Sequence, residues 1–155
     1  VRMLVMAALL WAALAGPALA DSPPRVEVVG AAQGPFRVLV NGTLLHSEAS
    51  ARGIDLIGQY AEGPARFALL RINTGSYACA AEFRIIDLGG ARPRLSPAFG
   101  TCSAEPRVEL RDGALLVTLP RYRAGPVATT WRYAEGRLDS RTGPIGGQAA
   151  LAPGW

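Results

Sequence analysis

His46 is the only histidine in the chain, and Cys79 and Cys102 are its only cysteines, so few residues can do chemistry. A nucleophilic centre needs a Ser or Cys beside a base and an orienting acid. The one imidazole falls on the arm of an expected hairpin, where a histidine is far more often a surface or edge residue than a base. No Gly-x-Ser-x-Gly elbow is present, and Gly75-Ser76-Tyr77 reads as a loop beside Cys79. The 12 carboxylates could supply the pair that glycan hydrolysis needs, but they scatter over outward strand positions and turns, and no pair stands out. Gly89-Gly90 and Gly146-Gly147 lack the spacing of a phosphate loop and precede no helix. No catalytic residue, cofactor or metal is expected.

The two cysteines are expected to pair. They are not in a Cys-x-x-Cys arrangement, and their spacing is not that of a zinc site. A Cys79–Cys102 disulfide closes a loop of some two dozen residues and contributes about 3 kcal/mol by loop entropy. Exposed loop residues of the types that carry interface energy are the remaining candidates. Arg121, Tyr122 and Arg123 lie between two expected strands, framed by Pro120 and Pro126. Tyr77 and Phe99 flank the two halves of the disulfide, where they could either contact a partner or pack as a small satellite core; packing is the favoured reading for both, more strongly for Phe99. Arg121, Tyr122, Arg123 and Tyr77 are the candidate partner contacts.

The elements that must position these residues are strands. From Arg25 onward the apolar pattern has period two, broken by turn residues every six to ten positions, and no long stretch keeps a clean 3.6 period. Strands are expected at 25–29, 53–60, 65–72 and 82–88. Hairpins are expected over 36–46, 107–119 and 127–138, turning at Asn41-Gly42, Asp112-Gly113 and Glu135-Gly136. Ile54, Leu56 and Tyr60 should share one face of their strand. Residues 65–72 are apolar on both faces, which suits a central strand covered on two sides. Phe83 and Ile85 should point inward, as should Val108 with Leu110 and the set Val127, Thr129, Trp131 and Tyr133. The fold class is all-β, a single antiparallel sandwich or a strongly twisted sheet of short hairpins with one disulfide.

The chain has 155 residues, 50% hydrophobic and 18% charged, which excludes intrinsic disorder; no second long apolar run follows the first, which excludes a polytopic membrane protein. Residues 1–20 read as a cleaved secretory leader: Arg2, an apolar run from Met3 to Ala15, a Gly16-Pro17 break and Ala18-Leu19-Ala20 before Asp21. Residues 21–140 form the single β domain, and 141–155, rich in Gly, Ala and Pro, a mobile tail. The compartment is then the periplasm or the outside of a bacterium, with no cysteine after the leader to carry a lipid anchor and so no stable membrane anchor after cleavage. All 16 basic residues are Arg, the mark of a GC-rich genome. Only Arg2 lies in the leader and all 12 acids lie beyond it, so 15 Arg remain and the net charge of +3 is too mild to argue for nucleic acid.

Gly75, Cys79, the strand 83–88 and the run Ser96-Pro-Ala-Phe-Gly-Thr-Cys-Ser103, followed by an alternating hairpin, resemble small uncharacterised exported β-proteins of Gram-negative bacteria. The likeness covers the middle third of the chain strongly and the flanking strands loosely. It departs from that pattern at Ala80-Ala81, where a Pro usually follows the first Cys. It implies export, one disulfide and an all-β fold, and no activity. The functional expectation is a non-enzymatic β-domain that binds a protein or cell-envelope partner. The alternatives are a periplasmic carrier of a small ligand and, behind it, a cell-wall hydrolase.

Overall fold

The computed structural model describes residues 22–30, 34–121 and 126–145, and every regular element among them is a strand. The expected leader of residues 1–20, Tyr122, Arg123 and residues 146–155 lie outside the described residues. Three antiparallel sheets form, each from strands consecutive in sequence. The first is β1 (Val26–Val29), β2 (Phe36–Val40) and β3 (Thr43–Glu48); the second is β4 (Gly53–Glu62), β5 (Ala65–Asn73), β6 (Ala81–Asp87) and the two-residue β7 (Arg94–Leu95). The third is β8 (Arg107–Arg111), β9 (Ala114–Pro120), β10 (Val127–Ala134) and β11 (Arg137–Pro144). The fold is all-β with one disulfide, Cys79–Cys102, as the sequence predicts.

The three hairpins expected from the sequence turn where two successive residues take positive φ. Asn41, Asp112 and Glu135 have φ of 50°, 51° and 52°, and Gly42, Gly113 and Gly136 follow at 77°, 70° and 80°. These pairs give the tight primed turns whose twist matches the flanking strands.

The middle sheet is covered on both faces, and β5 explains how. Phe67 and Leu69 point into a core shared with Phe83 and Ile85 of β6, Leu115, Val117 and Leu119 of β9 and Tyr133 of β10. Ala68, Leu70 and Ile72 point the other way, into a second core with Val26, Val38 and Val40 of the first sheet. Where a single sandwich or twisted sheet is expected, the strands form three sheets, with the first and third each packed on one face of the second. Val108, Leu110 and Trp131 pack at the margin of the larger core.

Two expectations change. In β4, Leu56 pairs with Leu70 but Gly58 with Leu69, so Ile57 is an extra, bulged residue. A slip of one residue exchanges the faces of everything beyond it. Ile54 therefore enters one core while Ile57 and Tyr60 pack against the other, and Leu56 is left 36% exposed. The three residues do not share a face. The second change is at the end of the chain: β11 stays paired with β10 as far as Pro144, opposite Val127, so residues 141–144 are strand and not tail.

Because Leu69 and Leu70 are both fully buried, on opposite faces of one strand, Leu69→Ala and Leu70→Ala should each cost about 2–5 kcal/mol in denaturant unfolding. A cost below about 1 kcal/mol for either would mean that its face is not a packed interface.

Candidate functional site

The sequence-predicted contacts belong to one end of the molecule, where β5 ends, β6 begins and β9 ends. Residues 74–80 connect β5 to β6, and their conformation is fixed by hydroxyl groups. Thr74 Oγ1 donates to the Cys79 carbonyl and accepts from the Ser76 amide at 3.1 Å, and Ser76 Oγ accepts from the Ala78 amide at 3.2 Å. The Thr74 amide closes the loop on the Ala80 carbonyl at 3.2 Å. Such side-chain bonds to nearby backbone hold a loop in one conformation without ladder partners. Gly75 is required twice over: its φ is +73°, and a Cβ there would overlap Cγ of Arg52, whose stem crosses the loop. Arg52 is itself held, its amide donating to the Asn73 carbonyl at 2.7 Å.

The disulfide ties this loop to residues 99–103, with Cα atoms 4.4 Å apart. That second segment is anchored in turn. Phe99 exchanges two backbone hydrogen bonds with Phe83, of 2.7 and 3.0 Å, and Thr101 Oγ1 donates to the Pro120 carbonyl at 2.5 Å. Arg121 follows Pro120 directly, exposed, with its amide bonded to the Val127 carbonyl at 2.8 Å. A continuous set of bonds therefore links the Tyr77 loop, through Cys79, Cys102 and Thr101, to the start of the Arg121 loop. Tyr122 and Arg123 fall outside the described residues.

The two aromatics beside the disulfide behave differently. Phe99 is buried, its ring centroid 6.1 Å from Phe83 and 5.3 Å from Trp131, and so it belongs to the core as read from the sequence. Tyr77 is 99% exposed and packs over nothing, so for this residue the satellite-core reading fails.

A polar cluster that the sequence reading missed braces the same end. Arg71 donates to Asp55 Oδ2 from Nε at 3.1 Å and from Nη2 at 2.8 Å, and from Nη1 to the Ala104 carbonyl at 3.2 Å. Asn73 Nδ2 adds a bond to the same carboxylate at 3.0 Å. The Arg71 guanidinium, with Asn73 beside it, holds the Asp55 carboxyl below the ordinary aspartate value of 3.8, against a smaller opposing effect of burial. This cluster fastens the segment after Cys102 to the middle sheet. A cross-strand Asp and Arg is the signal that could have found it, but the unbulged register would set Asp55 opposite Ile72.

His46 lies on β3. Its Nε2 lies 3.6 Å from Glu48 Oε2, while Glu48 Oε1 accepts from Ser50 Oγ at 2.6 Å. The carboxylate thus stands between hydroxyl and imidazole, whereas nucleophilic activation needs the imidazole in the middle. Hydrogen bonds from Ser50 lower the Glu48 carboxyl pKa, with His46 a lesser cause. Among the described residues no group of three His, Cys, Asp or Glu side chains could hold a metal ion, and no helix is long and apolar enough to cross a membrane.

Compared with protein-family models, curated proteins and solved structures, the chain matches none.

A carboxyl whose pKa is lowered by folding adds stability that is present above its unfolded value and lost as pH falls through the folded one. Asp55→Asn should therefore unfold at lower denaturant than the parent near neutral pH, and the two midpoints should converge in acid, below the ordinary value of 3.8. A gap that persists unchanged into acid would show that the charge on Asp55 does not brace this end.

Proposed function

We propose that the chain is an exported, non-enzymatic β-domain that binds a protein or cell-envelope partner, with Tyr77 as its anchoring side chain and Arg121 on the loop tied to it through the disulfide and Thr101. The observation that carries this reading is a tyrosine 99% exposed on a loop held by a disulfide and four hydrogen bonds. An exposed aromatic at the tip of a loose loop would lose loop entropy on binding; here folding has already ordered the loop, so contact area converts more fully into affinity. Tyrosine suits the role because it offers a large amphipathic surface and only two side-chain torsions to fix.

Export is supported by the disulfide, which persists in oxidising compartments, and by the leader pattern of residues 1–20. The periplasm is the compartment this reading favours. Within it, two concrete forms are an inhibitor of an envelope hydrolase and a subunit of an envelope assembly. A basic hydrolase such as lysozyme is the less favoured target, because the chain's own positive charge would steer against it.

The test is capture of an envelope partner by protein recovered from an exporting host. The recovered protein should begin at Asp21 and gain two hydrogens on reduction; a full-length mass with free thiols would overturn the export reading. Tyr77→Ala should melt at the parent temperature and weaken capture by about thirtyfold, the loss of one interface hot spot. Undiminished capture by Tyr77→Ala, with Arg121→Ala equally unaffected, would remove this end of the molecule as the contact.

A further inference from the structure

The third sheet turns one face to the core and the other to water. Leu115, Val117, Leu119 and Tyr133 point inward, so the register sets Arg107, Thr118, Thr130 and Arg141 in one row across the opposite face. Glu109, Leu116, Arg132 and Asp139 form the next row, and Arg111 and Arg137 stand one step further along the edge strands. The face thus carries five arginines and two carboxylates. The other described residues hold nine arginines and nine carboxylates, among them Asp112 and Glu135 in the hairpin turns at the far end. The positive excess of the described chain therefore lies wholly on one sheet face. A small net charge conceals this asymmetry in the sequence.

The surface is regular. Its four strands pair without a bulge. Glu109 lies 3.2 Å from Arg107 and 3.4 Å from Arg111, and Asp139 lies 3.9 Å from Arg137, so the two acids space out guanidinium groups that outnumber them. Arg141 has a partner within the protein and counts here only for its charge. Of the apolar residues on this face, Ala114, Leu116 and Ala128 are buried and Pro120 and Ala134 half-buried, and no aromatic side chain stands on it. Without exposed apolar groups the face has nothing to insert among acyl chains. Without aromatics it has nothing on which nucleic-acid bases could stack. What remains is a set of guanidinium forks, whose geometry matches phosphate oxygens.

We propose that this face docks on the anionic phosphate surface of a lipid bilayer, as a peripheral electrostatic contact separate from Tyr77. The excess of guanidinium groups over carboxylates on this face is complementary to that surface.

The experiment is co-sedimentation of the purified protein with vesicles of phosphatidylglycerol in phosphatidylcholine, and with phosphatidylcholine alone, at low and raised salt. Binding should require the anionic lipid and fall with salt. A basic residue near an anionic surface is worth about fivefold in partition, so the combined variant Arg107→Gln, Arg111→Gln and Arg137→Gln should bind about a hundredfold more weakly, and Arg107→Gln alone about fivefold. The combined variant Arg25→Gln, Arg37→Gln and Arg92→Gln removes the same charge from exposed sites elsewhere and should lose less than about fivefold. Equal losses from the two combined variants would overturn the assignment to this face. Equal binding to neutral vesicles, or capture of duplex DNA or polyphosphate without capture of vesicles, would overturn the bilayer as the partner.

Discussion

The fold depends on one strand being apolar on both sides. β5 cannot face water on either surface, and each of its faces is covered by a separate sheet, so two cores are built on a single ribbon. At about 25 cal/mol per Å² of apolar surface buried, this doubly covered strand and its neighbour β6 account for much of what holds so small a domain together. The outer sheets have a looser requirement. Each needs one apolar face, and its other face is available for charge, as on the third sheet, or for mixed polar and apolar residues, as on the first, where Leu44 is exposed.

The strand ends then become the places where the chain can differ from a plain stack of hairpins. At one end short turns close the ladders and ion pairs trim them, Arg94 meeting Asp87 at 2.8 Å and Glu62 accepting from the Gly113 amide at 3.0 Å. At the other the connections are longer, and backbone groups without ladder partners are satisfied by Thr74, Ser76, Thr101 and Arg71. Order at that end is built from side chains, and the disulfide joins two segments that are each already tied down.

Much of this was legible in the sequence, for definite reasons. Asn41-Gly42 and Asp112-Gly113 announce their turns because few other residue pairs take two positive φ values, and residues 65–72 announce a doubly covered strand because Phe67-Ala68-Leu69-Leu70 is apolar on both faces without a break. The alternation at 107–111 and the pairing of two lone cysteines are equally direct. What could not be read is what depends on register between strands. The bulge at Ile57 leaves no mark in composition, yet it decides which core receives Tyr60 and brings Asp55 opposite Arg71. The packing favoured for Tyr77 fails for a similar reason: an aromatic beside a disulfide packs or protrudes according to the path of its loop, and that path is set by hydroxyl bonds no periodicity reveals. β7 is too short to show a period, and residues 141–144 resemble a tail until their pairing with β10 is known.

The sequential order of the sheets has a consequence for how the chain assembles as it emerges from its N-terminus. All strands of the first two sheets precede Leu95, so one face of β5 can be covered early, by residues made before it. The other face must wait. Phe67, Leu69, Phe83 and Ile85 find their cover only in β9 and β10, some thirty or more residues later. In that interval the nascent chain presents a sticky, half-finished ribbon of the kind that invites misassembly with its neighbours. Cys102 emerges within the interval, ahead of the covering strands. Oxidation at that stage would pin the segment carrying Phe99 beside Phe83, and so place one aromatic cap over the open face while the last sheet is still being made.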